Sequence, residues 1–278
     1  MQNKFVDTNN IKLHYLEYEG DGPTLILMHG LTANAHAFDG LMAAGLNKKY
    51  TIIAVDLRGR GLSDFPANGY TMKEHAADII GLLDALKLDK VILGGHSFGA
   101  LLTLYIAAHF PERVDKMILI DAAAKLHPKV KEMLVPTLSR LGQTFSSFEA
   151  YISKVKQAPY ITEWHEEMLS YYKADVKTNE DGTVTPRPKM DNMTEAVLKG
   201  SLGEPWEQLI ANNDKPTILI NACGVYTLEA PLLPEELARE TVEMMKDCKY
   251  IQVEGNHQTM LYGQGAEQIV EAISNFIG

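Results

Sequence analysis

Ten residues, Val91-Ile92-Leu93-Gly94-Gly95-His96-Ser97-Phe98-Gly99-Ala100, restrict this chain more than any other stretch. A short apolar run of strand character breaks at a small-residue turn around one serine, and helix formers follow at once in residues 101–105. Gly95-His96-Ser97-Phe98-Gly99 fits G-x-S-x-G, in which a serine sits on a strained strand-to-helix turn with its hydroxyl lifted above a sheet. Side chains two positions to either side of that serine would collide with neighbouring elements, so both places go to glycine. The helix start behind the serine offers unpaired N–H groups and a partial positive charge, both suited to a developing oxyanion.

The rest of the chain supplies the sheet that such a turn needs. Residues 5–8 and 11–18 alternate apolar with polar around Asn9-Asn10, predicting an antiparallel hairpin at a sheet edge. Residues 24–28, 51–55, 91–95, 114–120, 217–220 and 250–253 are apolar runs, most of them continuous, as expected of parallel strands buried on both faces. Helical spacing separates them: after Thr32 to about Asn47, over 71–86, behind Ser97, after Pro234, and over 266–276. Strand alternating with helix implies a mostly parallel sheet with helices on both faces and ligands beyond the strand C-termini. His29, Asp56, Ser97 and Asp121 each follow directly on a strand, so all four are expected at one edge.

That pattern lapses between about 123 and 213. Helical stretches rich in methionine, aromatics and charge are expected over 131–141, 148–155, 163–172, 193–199 and 204–211, around a polar, turn-rich piece at 177–188. The reading is a core domain of residues 1–122 and 214–278 with a helical cap, 123–213, inserted between strands.

Composition sets the outer bounds. A chain of 278 residues, 46% hydrophobic and 22% charged, can bury one large core. A net charge of −10 argues against nucleic acid or an anionic membrane as partner. No apolar run is long enough for a membrane span, no signal peptide is visible at Met1-Gln2-Asn3-Lys4, and the two cysteines form no C-x-x-C. A cytoplasmic protein acting on a small molecule is expected. No histidine pair with a nearby carboxylate has metal-site spacing, and neither Gly59-Arg60-Gly61 nor Gly94-Gly95 makes a dinucleotide or phosphate loop, so no cofactor and no metal is expected.

Four motifs in order give the chain a resemblance to the α/β-hydrolase family: His29-Gly30-Leu31, Asp56-Leu57-Arg58-Gly59-Arg60-Gly61-Leu62-Ser63, Gly95-His96-Ser97-Phe98-Gly99 and Gly255-Asn256-His257. The resemblance implies an eight-stranded, mostly parallel sheet with its cap inserted after the sixth strand. It implies Ser97 as nucleophile, His257 as general base, and the backbone amides of Leu31 and Phe98 as oxyanion donors. His96 and His29 are then packing residues. The acid of the triad departs from the family pattern. The expected G-x-x-D loop reads Gly224-Val225-Tyr226-Thr227-Leu228-Glu229, with threonine where aspartate belongs. Asp121, at the end of a strand, and Glu229, two residues past the usual site, are both candidates.

A serine in the turn makes epoxide and haloalkane hydrolysis unlike this chain, because those branches use aspartate there. The leading expectation is a cofactor-independent serine hydrolase of a carboxylic ester or lactone of a small, partly apolar molecule. A carbon–carbon bond hydrolase of dienoates is the alternative; it would draw on Arg140 and Arg187 to hold a substrate carboxylate. A ligand receptor on the same scaffold is the third, favoured by the missing aspartate. Two of Tyr160, Trp164, Tyr171, Tyr172 and Trp206 are expected to line the pocket, beside an apolar wall drawn from Met133, Leu134, Leu138 and Phe145.

Overall fold

The computed structural model describes residues 1–278. One eight-stranded sheet organises it, in the order β1 (Gln2–Thr8), β2 (Ile11–Tyr18), β4 (Thr51–Val55), β3 (Thr24–Met28), β5 (Val91–His96), β6 (Val114–Ile120), β9 (Thr217–Ala222) and β10 (Cys248–Val253). β1 and β2 pair antiparallel through a two-residue turn in which Asn9 and Asn10 both have positive φ, 45° and 61°. Left-handed residues at both turn positions match the twist of the flanking strands, and asparagine tolerates them. β2 meets β4 antiparallel, and every other pairing is parallel.

Alternate residues of each buried strand serve opposite layers. Ile26 and Met28 join a core with Ile79, Leu82, Leu102 and Ile106, which belong to helices α2 (Met72–Ala85) and α3 (Phe98–His109). Leu25 and Leu27 face the other way, onto Leu41 of α1 (Asp39–Ala43) and Ile269 and Ile273 of the C-terminal helix Gly263–Ile277. Two apolar layers leave no face of the central strands for water, which is why those strands read as unbroken apolar runs. The segment expected as one helix after Thr32 is three short turns instead, 3₁₀ at Ala35–Phe38 and Leu46–Lys48 around α1. The Ala35 amide is drawn to the Asp56 carboxylate at 2.7 Å.

Between β6 and β9 the chain adds no strand to the main sheet. Its helices are α4 (Val130–Met133), α5 (Val135–Leu138), α6 (Phe148–Lys156), α7 (Met168–Asp175), α8 (Met190–Glu195), a π-helix at Ala196–Ser201, and α9 (Trp206–Ala211). The single helix expected over 131–141 is split into α4 and α5 beside Pro136, which has no N–H to continue the ladder. The turn-rich piece at 177–188 holds a small hairpin, β7 (Val176–Thr178) with β8 (Val184–Pro186). Gly182 at φ 83° makes its turn, and the Asn179 side chain donates to the hydroxyls of Thr183 and Thr185. Three residues per strand were too few to show alternation in the sequence.

The inserted helices share the core rather than owning one. Ala196, Trp206 and Ile210 pack into the α2/α3 layer, and Tyr151, Tyr171 and Tyr172 into the opposite one. Helices α10 (Glu235–Met244) and α11 (Gly263–Ile277) complete the molecule, and no helix is long and apolar enough to cross a membrane.

The turn at Ser97 holds the closest packing. A Cβ on Gly95 would lie 2.2 Å from the Gly99 carbonyl group, and one on Gly99 would lie 1.9 Å from the Met28 carbonyl oxygen. Neither backbone can give way without disturbing α3 or β3. Gly99→Ala is therefore expected to cost about 3 kcal/mol or more, read as a drop in the urea midpoint; a midpoint equal to wild type would refute the close approach.

Candidate active site

Ser97 is the link between β5 and α3, with φ 56° and ψ −117°, a conformation that non-glycine residues seldom adopt. The strain is held by buried surroundings: β5 is buried throughout, and α3 is buried at ten of its twelve positions. Such outliers concentrate where geometry serves chemistry.

Asp121 follows β6 directly, also at positive φ, 54°. One carboxylate oxygen accepts from the Asn221 side chain at 2.8 Å and from the Ala222 amide at 3.0 Å; the other accepts from His257 Nδ1 at 2.6 Å. Three donors converge on a group with no O–H of its own, which defines the His257 tautomer. The ring proton sits on Nδ1, and the Nε2 lone pair is left free. Asn221, at the end of β9, is a residue sequence reasoning missed. It fixes Asp121 while its own oxygen accepts from Tyr250 at 2.9 Å. Its only sequence signal is a polar residue inside an apolar strand.

His257 lies in the loop after β10, pinned from below and beside. Asn256 donates to the carbonyls of Val225 (2.9 Å) and Tyr160 (3.1 Å) and accepts from the amides of Gln258 and Thr259. His96 Nε2–H donates to the His257 carbonyl at 2.8 Å, and the two rings pack 4.5 Å apart. Burial, reinforced by His257, holds the His96 imidazole well below its ordinary value, so it is a neutral prop. His29 is likewise neutral, pushed down to about 4 by burial. Its Nε2 accepts from the Leu57 amide at 3.0 Å, so its Nδ1–H donates to the Gly30 carbonyl at 2.7 Å, shaping the loop that carries Leu31.

Ser97, Leu31, Phe98, Asp121 and His257 all line one cavity of about 280 Å³. As the side chains stand, Ser97 and His257 share its wall without a hydrogen bond between them. A serine hydroxyl turns freely about χ1, and such contacts often close only around a substrate.

Glu229 does not join them. It is exposed, in a tight turn where the Tyr226 amide bonds the Ala230 carbonyl at 2.9 Å, and the His257 Nδ1 it would have needed is taken by Asp121. Thr227, in the place of the usual aspartate, donates instead to the Met133 carbonyl at 3.1 Å and ties its loop to α4.

The cavity walls also correct the sequence reading. Leu126, Val130, Leu134 and Leu138 line the cavity together with Met193, Val197, Leu198, Leu202, Leu232 and Leu233. None of the five aromatics lines it. Trp164 stacks on Tyr172, Trp206 bonds the Ser201 carbonyl at 2.8 Å, and Tyr171 lines a small adjoining pocket of about 50 Å³ whose wall includes Ser97 and His257. Met133 and Phe145 are likewise absent from the wall. Arg140 is buried against Asp175, with Nε and Nη2 each 3.1 Å from a carboxylate oxygen, and Arg187 donates to the Val176 carbonyl. The one cationic side chain on the wall is Lys131.

The family profile described as the alpha/beta hydrolase fold matches residues 23–193. The chain belongs to this family. The 2-(acetamidomethylene)succinate hydrolase of Mesorhizobium japonicum is 37% identical over 151 residues, 53% of this chain and 54% of that one. The 3-oxoadipate enol-lactonase 2 of Acinetobacter baylyi is 33% identical over 126 residues, 44% and 47% of the two chains. The chain thus aligns with about half the length of these curated relatives. A solved structure of E-2-(acetamidomethylene)succinate hydrolase superposes over 99% of this chain and 98% of its own with a TM-score of 0.86, at 26% identity. The eight-stranded sheet derived above is therefore the family's sheet.

Proposed function

We propose that this family member is a cofactor-independent serine hydrolase that cleaves a carboxylic ester or lactone of a small, partly apolar molecule. Ser97 attacks the carbonyl carbon as His257 Nε2 takes its proton, and Asp121 stabilises the resulting imidazolium. The amides of Leu31 and Phe98 hold the tetrahedral oxyanion. His257 then protonates the leaving alcohol, and water activated by the same imidazole releases the acid from the acyl-enzyme. Residues 123–213 act as the cap that shields this chemistry, and unpaired Cys223 and Cys248 fit a reducing, cytoplasmic setting.

The observation that carries this reading is the Asp121–His257 hydrogen bond opening onto the cavity that Ser97 also lines. It weighs against a ligand receptor, because the carboxylate missing from the 224–229 loop has a replacement. The carbon–carbon alternative is weaker, since Arg140 and Arg187 are both engaged away from the cavity. A substrate with two carboxylates, as in the succinate of one relative's name, would meet only Lys131.

The walls favour an apolar acyl group. Each methylene buried is worth about 0.8 kcal/mol, or roughly fourfold in kcat/KM. Along p-nitrophenyl esters from acetate to octanoate, kcat/KM is expected to climb by about that factor per methylene until the cavity is full. A dienoate turned over faster than every ester would replace this reading with the carbon–carbon one.

A further inference from the structure

Arg60 is buried to 0% exposure, one of the largest side chains in the molecule to be so, and no carboxylate pairs with it. Asp78 is held by Arg58 at 2.6 Å, Asp56 by His14 at 2.7 Å and the Ala35 and Leu62 amides, and Asp64 by the Lys12 amide at 2.8 Å. Arg60 Nε donates to the Leu31 carbonyl at 2.8 Å, and Nη1 donates to the Arg58 carbonyl at 2.6 Å and to His75 Nε2 at 2.8 Å. His75 Nδ1–H is committed to the Thr71 carbonyl at 2.7 Å, so His75 Nε2 is a bare acceptor and the imidazole is neutral. Burial, with Arg60 beside it, holds His75 well below its usual value. Arg60 Nη2 is buried with no partner at all. The guanidinium carbon lies 5.4 Å from the centre of the Phe98 ring, and the His75 ring meets Phe98 edge-on at 5.0 Å.

A buried cation without a counter-ion is costly to keep, and one made of a rigid fork is kept where its geometry fixes something. Both residues that Arg60 bears on toward the cavity are those whose amides the proposed mechanism uses. From this we infer that Arg60 is a positioning residue for the oxyanion site: it clamps the Leu31 carbonyl, backs the Phe98 ring, and leaves uncompensated positive charge behind both N–H donors. The inference rests on the reading of Ser97 as nucleophile. The negative charge that arises on the substrate oxygen is then the counter-charge the folded protein lacks. Because the cation is already in place and dry, no reorganisation is needed when that charge forms. The clamp acts by fixing the Leu31 backbone on the far side of its Cα rather than by touching substrate.

The test uses the purified full-length protein, a fluorophosphonate probe that reacts at Ser97, and p-nitrophenyl butyrate. Arg60→Met fills similar space without charge or donors. It is expected to slow labelling and lower kcat together by about 10- to 100-fold, less than the loss of a direct oxyanion donor, with KM within about threefold. Arg60→Lys, which keeps the charge, is expected to recover part of both rates. If Arg60→Met does not fold, Arg60→Gln carries the comparison, with labelling expected to fall at least about tenfold. A labelling rate within about threefold of wild type in the folded uncharged variant, or a loss confined to KM, would overturn the inference. Wild type that resists labelling would overturn the nucleophile reading and this inference with it; labelled wild type with an equally fast Arg60→Met would overturn this inference alone.

Discussion

Ser97→Ala is expected to lower kcat toward ester substrates by about 10⁶-fold and to abolish fluorophosphonate labelling, while leaving the urea midpoint close to wild type. The asymmetry follows from the local structure. Alanine keeps the Cβ and tolerates φ 56° no worse than serine does, so the strained turn and the packing of Gly95 and Gly99 against it are unchanged. Only the attacking oxygen is lost. The residual rate would come from whatever oxyanion stabilisation and substrate orientation the cavity still supplies. A variant that turned over esters at the wild-type rate would remove the nucleophile from the mechanism, and the reaction would have to run through another group on the cavity wall.

Asp121→Asn is expected to lower kcat by about 10⁴-fold, with KM little changed. The site presents donors to both carboxylate oxygens: Asn221 and the Ala222 amide to one, His257 Nδ1–H to the other. An asparagine has a single acceptor oxygen. Turned toward Asn221 and Ala222, it points its NH₂ at His257 Nδ1 and drives the ring proton to Nε2, where the nitrogen can no longer take the serine proton. Turned the other way, it sets NH₂ against two buried donors, which costs stability. Glu229→Gln is expected to stay within about twofold of wild type, as an exposed surface change should. Kinetics of the two variants side by side give the answer; a collapse in Glu229→Gln with Asp121→Asn active would reverse the assignment of the acid.

That pair also shows where the sequence stopped being informative. It carried both candidates because each lay near a plausible position along the chain, and linear distance does not say which side chain faces a histidine 136 residues from one and 28 from the other. The choice was made by parallel pairing. β6 and β9 are neighbours, so Asp121 falls beside Asn221 and Ala222, whereas residues 227–230 turn back on themselves and carry Glu229 into solvent. The inserted helices failed for a related reason. Tyr172 and Trp206 were candidates for the pocket by composition, yet their large apolar surfaces are buried in the two sheet layers. The cavity wall went to leucine, valine and methionine on short helices broken at Pro136 and at the π-helix. Arg140 is a similar case: its charge suggested substrate binding, but Asp175, 35 residues away, had already claimed it.

Local chemistry therefore determined a great deal. Apolar runs bounded by glycine, asparagine and strand-end polar residues defined the strands, because a strand buried on both faces can be built from little else. The two glycines around Ser97 specified its turn, because no larger residue fits between those backbones. What only the tertiary structure decided were the pairings between distant segments: which carboxylate meets His257, which aromatics are core, and that Arg60 stands unpaired behind Leu31 and Phe98. A short-range pattern records what each residue needs from its immediate neighbours. Which distant group satisfies a buried donor or charge is settled by strand order and helix packing, and these exist only once the whole chain has folded.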